Sequence, residues 1–293
     1  MPEVTVLVNT WNRAASLPLV LAGYGRQTVD DFEVVIADDG SEDGTDALLR
    51  RLRRDLSYPL RHVRHPRRGH RRAAILNRGV REARGRTILF TDADSIPRRD
   101  LVEVHLRRRE RNRILVGGYL RLTEAQSALL DVASVAKGDH EEHLTEEALW
   151  RLRLEHAKIR MYLALRRARR PHNMGLNYSA WKGDLEAING YDEIYEGWGK
   201  ADGDVRDRLR ILGVEPKSLW AEAIVFHLWH EPHPTKYDYL FGRTTRNAVW
   251  ARRPGRPARC LRGLERLPGW REQTRELEVL VEEAVNRGEG AAG

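Results

Sequence analysis

Cysteine is almost missing: Cys260 is the only one in 293 residues. That excludes an intramolecular disulfide and a cysteine-built zinc cage. Long apolar runs are missing too, and no stretch approaches the roughly 20 residues that a membrane-spanning helix needs. A leader is not apparent, since Met1-Pro2-Glu3 passes straight into a β-forming run. The expectation is a cytoplasmic protein. Acidic residues fall short of basic ones, with 43 Asp+Glu against 51 Lys+Arg and a formal net charge of +8. Nearly all the base is arginine, which suits a phosphate-bearing partner such as a nucleotide, a nucleic acid or an anionic membrane surface. An arginine-biased genome would give the same balance. The length accommodates one large or two small domains, and there is no internal repeat.

What is present is a repeated alternation of short β-branched runs, polar loops and helical segments. Strands are expected at Val4–Asn9, Phe32–Ala37, Leu60–Val63 and Thr87–Asp92, with helices at Ser16–Arg26, Asp43–Arg54 and from Gly69 to about Gly85. This pattern implies an α/β fold with a mostly parallel, doubly wound sheet and its loops gathered at one edge. Further on, the spacing predicts a helix over Arg98–Arg111, a strand over Ile114–Tyr119 and a long helix over Glu141–Arg170. The long helix has an apolar stripe (Leu144, Ala148, Leu152, Ile159, Leu163), an acidic start and a basic end, which the helix dipole favours. Its basic end could touch a membrane or an acceptor. A strand-like run over Asn173–Ala180, a helix over Val205–Leu212, a strand over Ala223–His230 and helices beyond Thr235 complete the reading. Pro232 and Pro234 would stop that last strand, and Gly288–Gly293 reads as a disordered tail.

The polar clusters fall after the strands. Asp92 and Asp94 bracket Ala93 at the end of Thr87–Asp92, where residues i and i+2 of a continued strand would share a face. Two carboxylates aimed at one point repel unless a cation or donors lie between them, so a metal-nucleotide site is one reading. The other is a polar turn whose Asx cap opens a helix at Arg98. Thr10, Trp11 and Arg13 follow the first strand, and Asp38 and Asp39 the second. A base can stack on Trp11 while a carboxylate accepts its imide N–H, although Trp11 fits a core equally well. Arg71 or Arg72, at a helix start, could reach a diphosphate. Hard oxygen ligands suit Mg²⁺ or Mn²⁺, and a histidine at the end of the late strand could complete the shell; His227 also fits a buried core histidine.

At these residues the chain resembles family 2 glycosyltransferases of the GT-A fold. Val4–Leu17 looks like that family's first strand and its T-x-N-R loop, Val34–Thr45 like its D-D-G-S-x-D-G-T segment, and Phe90–Asp94 like its D-x-D motif. Asn173–Ser179, Asn189-Gly190-Tyr191-Asp192 and the stretch from Gly197-Trp198-Gly199 to Asp204 resemble, in order, the galactosyltransferase-like C-terminal region. The likeness covers residues 3 to 234. It implies a Rossmann-like GT-A domain, with a nucleotide-sugar-binding half over 1–122 and an acceptor-binding and catalytic half over 123–234. A helical extension would follow over 235–293.

The resemblance also implies a UDP-sugar donor, a divalent metal (Mn²⁺ or Mg²⁺) and inversion at the anomeric carbon. Trp11 and Asp39 would hold the uracil with Thr10, Arg13 and Asp38 beside them. Arg71 would face the diphosphate, Asp92 the ribose and Asp94 the metal, with His227 as second metal ligand and His230 as its rival. Trp198 and Gly197, with Asp204, would bind the acceptor, and Asp202 would be the general base. The family usually carries Glu-Asp where this chain has Ala201-Asp202, which leaves the acceptor open among a polysaccharide, a lipid-linked sugar and a small natural product. A peripheral contact with the inner membrane face fits the charge, and no nucleic-acid partner is expected. Two alternatives stay in view. A sugar nucleotidyltransferase would want a Gly-rich phosphate loop near the N-terminus, and Gly23-Tyr24-Gly25 comes too late for one. A non-catalytic nucleotide- or nucleic-acid-binding protein would explain the charge and leave the carboxylates idle.

Overall fold

The computed structural model describes residues 1–166, 175–231, 244–253, 255–286 and 291–292. At its centre is one eight-stranded sheet ordered β3-β2-β1-β4-β7-β6-β8-β5. The first four strands in the chain are β1 (Val4–Thr10), β2 (Phe32–Asp38), β3 (Leu60–Arg64) and β4 (Thr87–Asp92), and they run parallel to one another. Their side chains alternate between two cores, as a period of two requires. Val4, Val6, Val8, Phe32, Val34, Ile36 and Leu89 enter one apolar cluster; Leu7, Val35, Ala37, Ile88 and Phe90 enter the other. Helices α1 (Leu17–Tyr24) and α2 (Thr45–Leu52) cover the first face, and α3 (Arg72–Glu82) covers the second. Helix α3 lies so close to the sheet that a Cβ on Gly79 would sit 2.2 Å from Leu7 Cδ1.

The remaining strands make the sheet mixed. They are β5 (Ser95–Pro97), β6 (Arg113–Arg121), β7 (Asn177–Trp181) and β8 (Glu215–His227). Strand β7 pairs antiparallel with both β4 and β6, β6 runs parallel to β8, and β5 lies antiparallel on β8. Parallel pairings therefore outnumber antiparallel ones only four to three. Strand β5 is not among the expected strands, and it occupies the stretch that one of the two readings took as a polar turn capping a helix at Arg98. Pro97 has no N–H to donate, and it is accommodated because β5 is an edge strand.

Helix α4 (Leu101–Arg108) completes the first face of the sheet. Two one-turn helices follow, α5 (Glu124–Ala128) and α6 (Val132–Lys137). The long helix expected over Glu141–Arg170 splits into a 3₁₀ turn, Asp139–His143, and α7 (Glu146–Ala164). Thr145 caps α7 by accepting the Ala148 N–H at 3.2 Å, which sets the start of the helix there. Of its expected stripe, Leu152 and Ile159 are buried. Helix α8 (Lys182–Ala187) and α9 (Ala201–Ile211) complete the second face, so α9 begins four residues earlier than expected. The late strand begins at Glu215, eight residues before its expected start at Ala223, and ends at His227. Helices Arg246–Arg252 and Trp270–Asn286 follow. The basic stretch 167–170, the start of the Asn173–Ala180 run, Pro232 and Pro234 lie outside the described residues, as does the tail apart from Ala291–Ala292.

Candidate active site

Strand register gathers the first set of polar residues. Thr10 lies beside Asp38, and Asn9 beside Asp92, so the C-terminal ends of β1, β2 and β4 share one edge of the sheet. Asp39 is buried and heavily engaged. His65 Nε2 lies 2.6 Å from its Oδ1, while Arg67 Nη1 and the Arg71 backbone N–H donate to its Oδ2 at 2.8 and 2.9 Å. Asp38 accepts from the Ser41 N–H at 2.7 Å and faces His62 Nε2 at 3.1 Å. Desolvation would raise the pKa of Asp38, but the His62 and Ser41 hydrogen bonds outweigh it and hold the carboxyl below its ordinary range. Trp11 is half-buried, with the Arg67 guanidinium 4.0 Å from its ring centroid. Thr10 is buried with no hydrogen-bond partner for its hydroxyl among the described residues.

The second set forms where β5 returns along β8. Ser95 pairs with His227, and the Leu228 N–H donates to the Asp94 carbonyl at 2.8 Å, which places the Ala93-Asp94 turn against the end of β8. Asp94, His227 and His230 then offer ligand atoms within 4.8 Å of one another. His227 Nδ1 is 2.8 Å from the Leu228 carbonyl and His230 Nδ1 is 2.7 Å from the Glu231 carbonyl. A carbonyl only accepts, so both Nδ1 atoms carry protons, and in the neutral rings each Nε2 keeps its lone pair. Those Nε2 atoms face Asp94, at 3.7 Å for His227 and 3.4 Å for His230. Asp94 Oδ1 is buried and lacks a hydrogen-bond partner among the described residues. One carboxylate and two pre-oriented imidazoles make a donor set that fits Mn²⁺ or another divalent transition metal. Arg13 Nε approaches Asp94 Oδ2 at 3.4 Å.

The third set joins the two halves of the chain. Arg72, the first residue of α3, donates to Asp202 Oδ1 at 2.8 Å and lies 3.5 Å from Asp92 Oδ1. Burial works against its charge, but Asp202 and Asp92 outweigh burial and hold the guanidinium protonated beyond its usual range. Burial raises the pKa of Asp92, Arg72 opposes the rise, and the like charges of Asp94 and Asp202 reinforce it. Tyr191 Oη also donates to Asp202 Oδ1, at 2.9 Å, and is itself in contact with Tyr178 Oη. Desolvation first, then the Asp202 charge, push the Tyr191 hydroxyl well above its ordinary pKa, so it stays a donor.

Arg71, the residue expected at a diphosphate, caps α3 instead, with its backbone N–H on Asp39 and its side chain on the Pro66 carbonyl at 2.9 Å. Asp204 departs from its expected place as well. It lies two residues after Asp202 in the first turn of α9, roughly 200° round the helix, and so points inward. Its side chain is 1% exposed and bonds Arg208 Nε at 2.6 Å, Tyr195 Oη at 3.0 Å and Arg256 Nη1 at 3.1 Å. These three partners hold the carboxylate inside the fold. Trp198 and Gly197 lie in a half-buried loop that is pinned from two sides. Asn247 donates to the Glu196 and Gly199 carbonyls at 2.8 and 3.1 Å, and the Gly197 N–H donates to the His70 carbonyl at 2.9 Å.

Asn189-Gly190-Tyr191-Asp192 is held in a tight turn with Asn189 and Gly190 at φ of 63° and 69°. A Cβ on Gly190 would meet Asn77 Oδ1 at 2.4 Å, and Asn77 clasps the Tyr191 backbone at both its N–H (2.8 Å) and its carbonyl (2.9 Å). Tyr191 is thereby fixed with its hydroxyl on Asp202. The partnerships of Arg72 and Tyr191 carry no signal in spacing. The Arg72–Asp202 contact spans 130 positions and the Tyr191–Asn77 contact 114.

A sheet whose carboxylates and histidines meet at one edge, with a second half folded back over it, is the architecture of GT-A glycosyltransferases. The chain aligns with the mannosyltransferase PcManGT from Pyrobaculum calidifontis, solved with GDP-Man and Mn²⁺, at a TM-score of 0.59 and 21% identity, covering 97% of this chain and 75% of that one. It aligns with residues 1–349 of S. aureus TarS, solved with UDP-GlcNAc, at a TM-score of 0.54 and 14% identity, covering 80% and 61%. Residues 5–163 match the family described as glycosyl transferase family 2, and residues 155–231 match the N-terminal domain of galactosyltransferase. The chain belongs to glycosyltransferase family 2.

Among curated relatives, validoxylamine A glucosyltransferase of Streptomyces hygroscopicus subsp. jinggangensis (strain 5008) is 28% identical over 249 residues, covering 79% of this chain and 56% of that protein. The uncharacterized glycosyltransferase YfnE of Bacillus subtilis (strain 168) is 33% identical over 115 residues, 39% of this chain and 29% of that protein. The chain thus spans about half of the first relative and under a third of the second. Among the described residues, no helix is long and apolar enough to cross a membrane.

Proposed function

We propose that this chain transfers a sugar from a nucleoside diphosphate sugar, UDP-linked in our reading, to an acceptor hydroxyl with inversion at the anomeric carbon, Asp202 acting as general base. The observation that carries this reading is the Arg72 bridge. It ties Asp202 to Asp92, whose carboxyl also feels the charges of Asp94 and His227. The acceptor proton passes to the Asp202 carboxylate as the acceptor oxygen bonds to C1. The bond from C1 to the diphosphate oxygen breaks on the opposite face, and the nucleoside diphosphate leaves with the electron pair. General-base assistance of this kind contributes roughly 10²–10⁴-fold. A divalent metal held by Asp94, His227 and His230 would supply neutralisation of the negative charge on the diphosphate.

In this reading residues 1–122 hold the donor, residues 123–234 hold the acceptor and the base, and the extension over 235–293 steadies the acceptor loop. Trp11, Asp38 and Asp39 bind the base, Thr10 and Asp92 the ribose, and Arg13 the phosphates. Asp39 keeps a place in the set because its Oδ1 faces only His65 and retains a second lone pair for a uracil imide, whereas Oδ2 is filled by Arg67 and the Arg71 N–H. Arg72 lies between Asp92 and the base Asp202, and Arg71, which the resemblance set at the diphosphate, has no part in the proposal. Trp198 and Gly197 form the acceptor platform. The named relative that aligns over most of this chain is a validoxylamine A glucosyltransferase, which favours single transfer to a small natural-product acceptor. Work in the cytoplasm follows from the same reading.

Titration calorimetry with UDP and with GDP, in Mn²⁺ and in chelator, tests the proposal. It expects metal-dependent binding with UDP the tighter ligand. Tighter binding of GDP would move the donor to the class carried by the Pyrobaculum mannosyltransferase. Absence of binding by both nucleotides would overturn the donor assignment.

A further inference from the structure

Helix α7 turns two apolar faces in opposite directions. Leu152 and Ile159 are buried on one. On the other, Trp150, Leu154, Met161 and Leu165 are 58%, 49%, 51% and 59% exposed, with exposed Ala157 between them. Their spacing of three and four keeps these five on one stripe, and at 100° per residue it points away from the buried face. Such a stripe is costly to leave in water and marks an interaction surface. The charges beside it say which kind. Arg151 and Lys158 flank the stripe on one side, Arg153 and Arg160 on the other, and all four are exposed. Glu147 pairs with Arg151 and Glu155 with Lys158, while Arg153 and Arg160 have no ion-pair partner among the described residues.

A second copy of the helix packed antiparallel on this stripe would bring the unpaired Arg153 and Arg160 against their own equivalents. An anionic lipid surface reverses that penalty. The apolar stripe enters the headgroup boundary, the arginine and lysine stems lie along it with their charges at the phosphates, and Trp150 suits the interface through its amphipathic ring. The formal charge of +8 adds a long-range attraction of the same sign.

We propose that the outward face of α7 docks the protein on anionic membranes, independently of which sugar the enzyme transfers. The test is sedimentation of the full chain with vesicles of phosphatidylcholine alone and of phosphatidylcholine with one quarter phosphatidylglycerol. The protein should pellet with the anionic vesicles, and raising NaCl from about 0.1 M to about 0.5 M should release most of it. The double variant Leu154→Glu/Met161→Glu and, separately, Arg153→Glu/Arg160→Glu should each lower partitioning by about tenfold or more. Both pairs are on the surface, and an unchanged thermal midpoint would show that the variants fold. Wild-type protein left in the supernatant with anionic vesicles would overturn the proposal, as would variants that pellet equally. A dimer by light scattering that the Leu154→Glu/Met161→Glu variant abolishes would also overturn it, by showing that a second copy covers the stripe.

Discussion

Arg72 and Asp202, 130 positions apart, are joined by a 2.8 Å charge-assisted hydrogen bond. The same guanidinium reaches towards Asp92, so one planar group links the end of β4 to the proposed base. Arg72→Lys keeps the charge and loses the fork. It is expected to lower kcat by about ten- to a hundredfold with little change in nucleotide affinity, because a misplaced base costs rate rather than binding. Steady-state kinetics beside nucleotide titration checks this. An unchanged kcat with a raised donor KM would move Arg72 to the diphosphate.

Asp202→Asn leaves the size of the side chain nearly unchanged and removes its basicity. Transfer should fall by roughly 10²–10⁴-fold while UDP affinity stays close to wild type. Tyr191→Phe, which removes only the second donor to the same oxygen, should cost less, about tenfold. If Asp202→Asn weakened UDP binding instead, Asp202 would belong to the donor site.

Both histidines face Asp94 with Nε2, and the buried Asp94 Oδ1 has no hydrogen-bond partner among the described residues. Asp94→Ala should therefore abolish Mn²⁺-dependent nucleotide binding together with transfer. His227→Ala and His230→Ala should each weaken Mn²⁺ binding by about tenfold or more. Activity that survives in chelator would exclude the metal from the reaction.

The first half of the fold was legible because its signals are local. Val4, Val6 and Val8 against Leu7 already state a strand buried on both faces, and each polar cluster closes a strand. The meeting of Asp94 with His227 was not legible from spacing, since it depends on the antiparallel return of a three-residue edge strand that Pro97 disguises. Neighbouring positions failed for a related reason. Arg71 and Arg72 differ by one helical step, which sends one to cap α3 and the other to Asp202. Asp202 and Asp204 separated because α9 starts before both, whereas a start at Val205 left them in one loop. The resemblance supplied the order of the motifs; only packing decided which side chains of each motif meet at the sheet edge.

His105 supplies a pH dependence that does not involve the site. It is fully buried, with Nδ1 at 2.8 Å from Ser179 Oγ and Nε2 at 3.0 Å from Asn177 Oδ1. Desolvation lowers its pKa from 6.5 to about 4, against a small opposing effect of the Asn177 hydrogen bond. The fold therefore holds the neutral ring and the unfolded chain takes up the proton first. The stability this contributes is complete above pH 6.5 and declines as pH falls towards 4. Between pH 6.5 and 5 the loss is about 2 kcal/mol. Urea unfolding at pH 7.5 and pH 5 should show this drop in wild type and a smaller one in His105→Gln.

Asp204 gives the sharpest contrast with the sequence reading. Its carboxylate, Arg208 and Arg256 form a buried ion cluster, and Arg208 carries it into the turn that fixes Tyr191 by donating to the Ile188 and Gly190 carbonyls at 2.7 Å each. Removing the carboxylate leaves Arg208, 1% exposed, without its hydrogen-bonded counter-ion and with Asp192 as its remaining acidic neighbour, at a cost of about 3–5 kcal/mol. Asp204→Ala should lower the unfolding midpoint strongly and take activity with it, whereas an acceptor-binding role would raise acceptor KM in a normally stable protein. Asp204→Asn separates the two outcomes further. It keeps an acceptor oxygen for Tyr195 and loses the charge that Arg208 and Arg256 share, so it too should destabilise, and its remaining folded fraction should show an acceptor KM close to wild type.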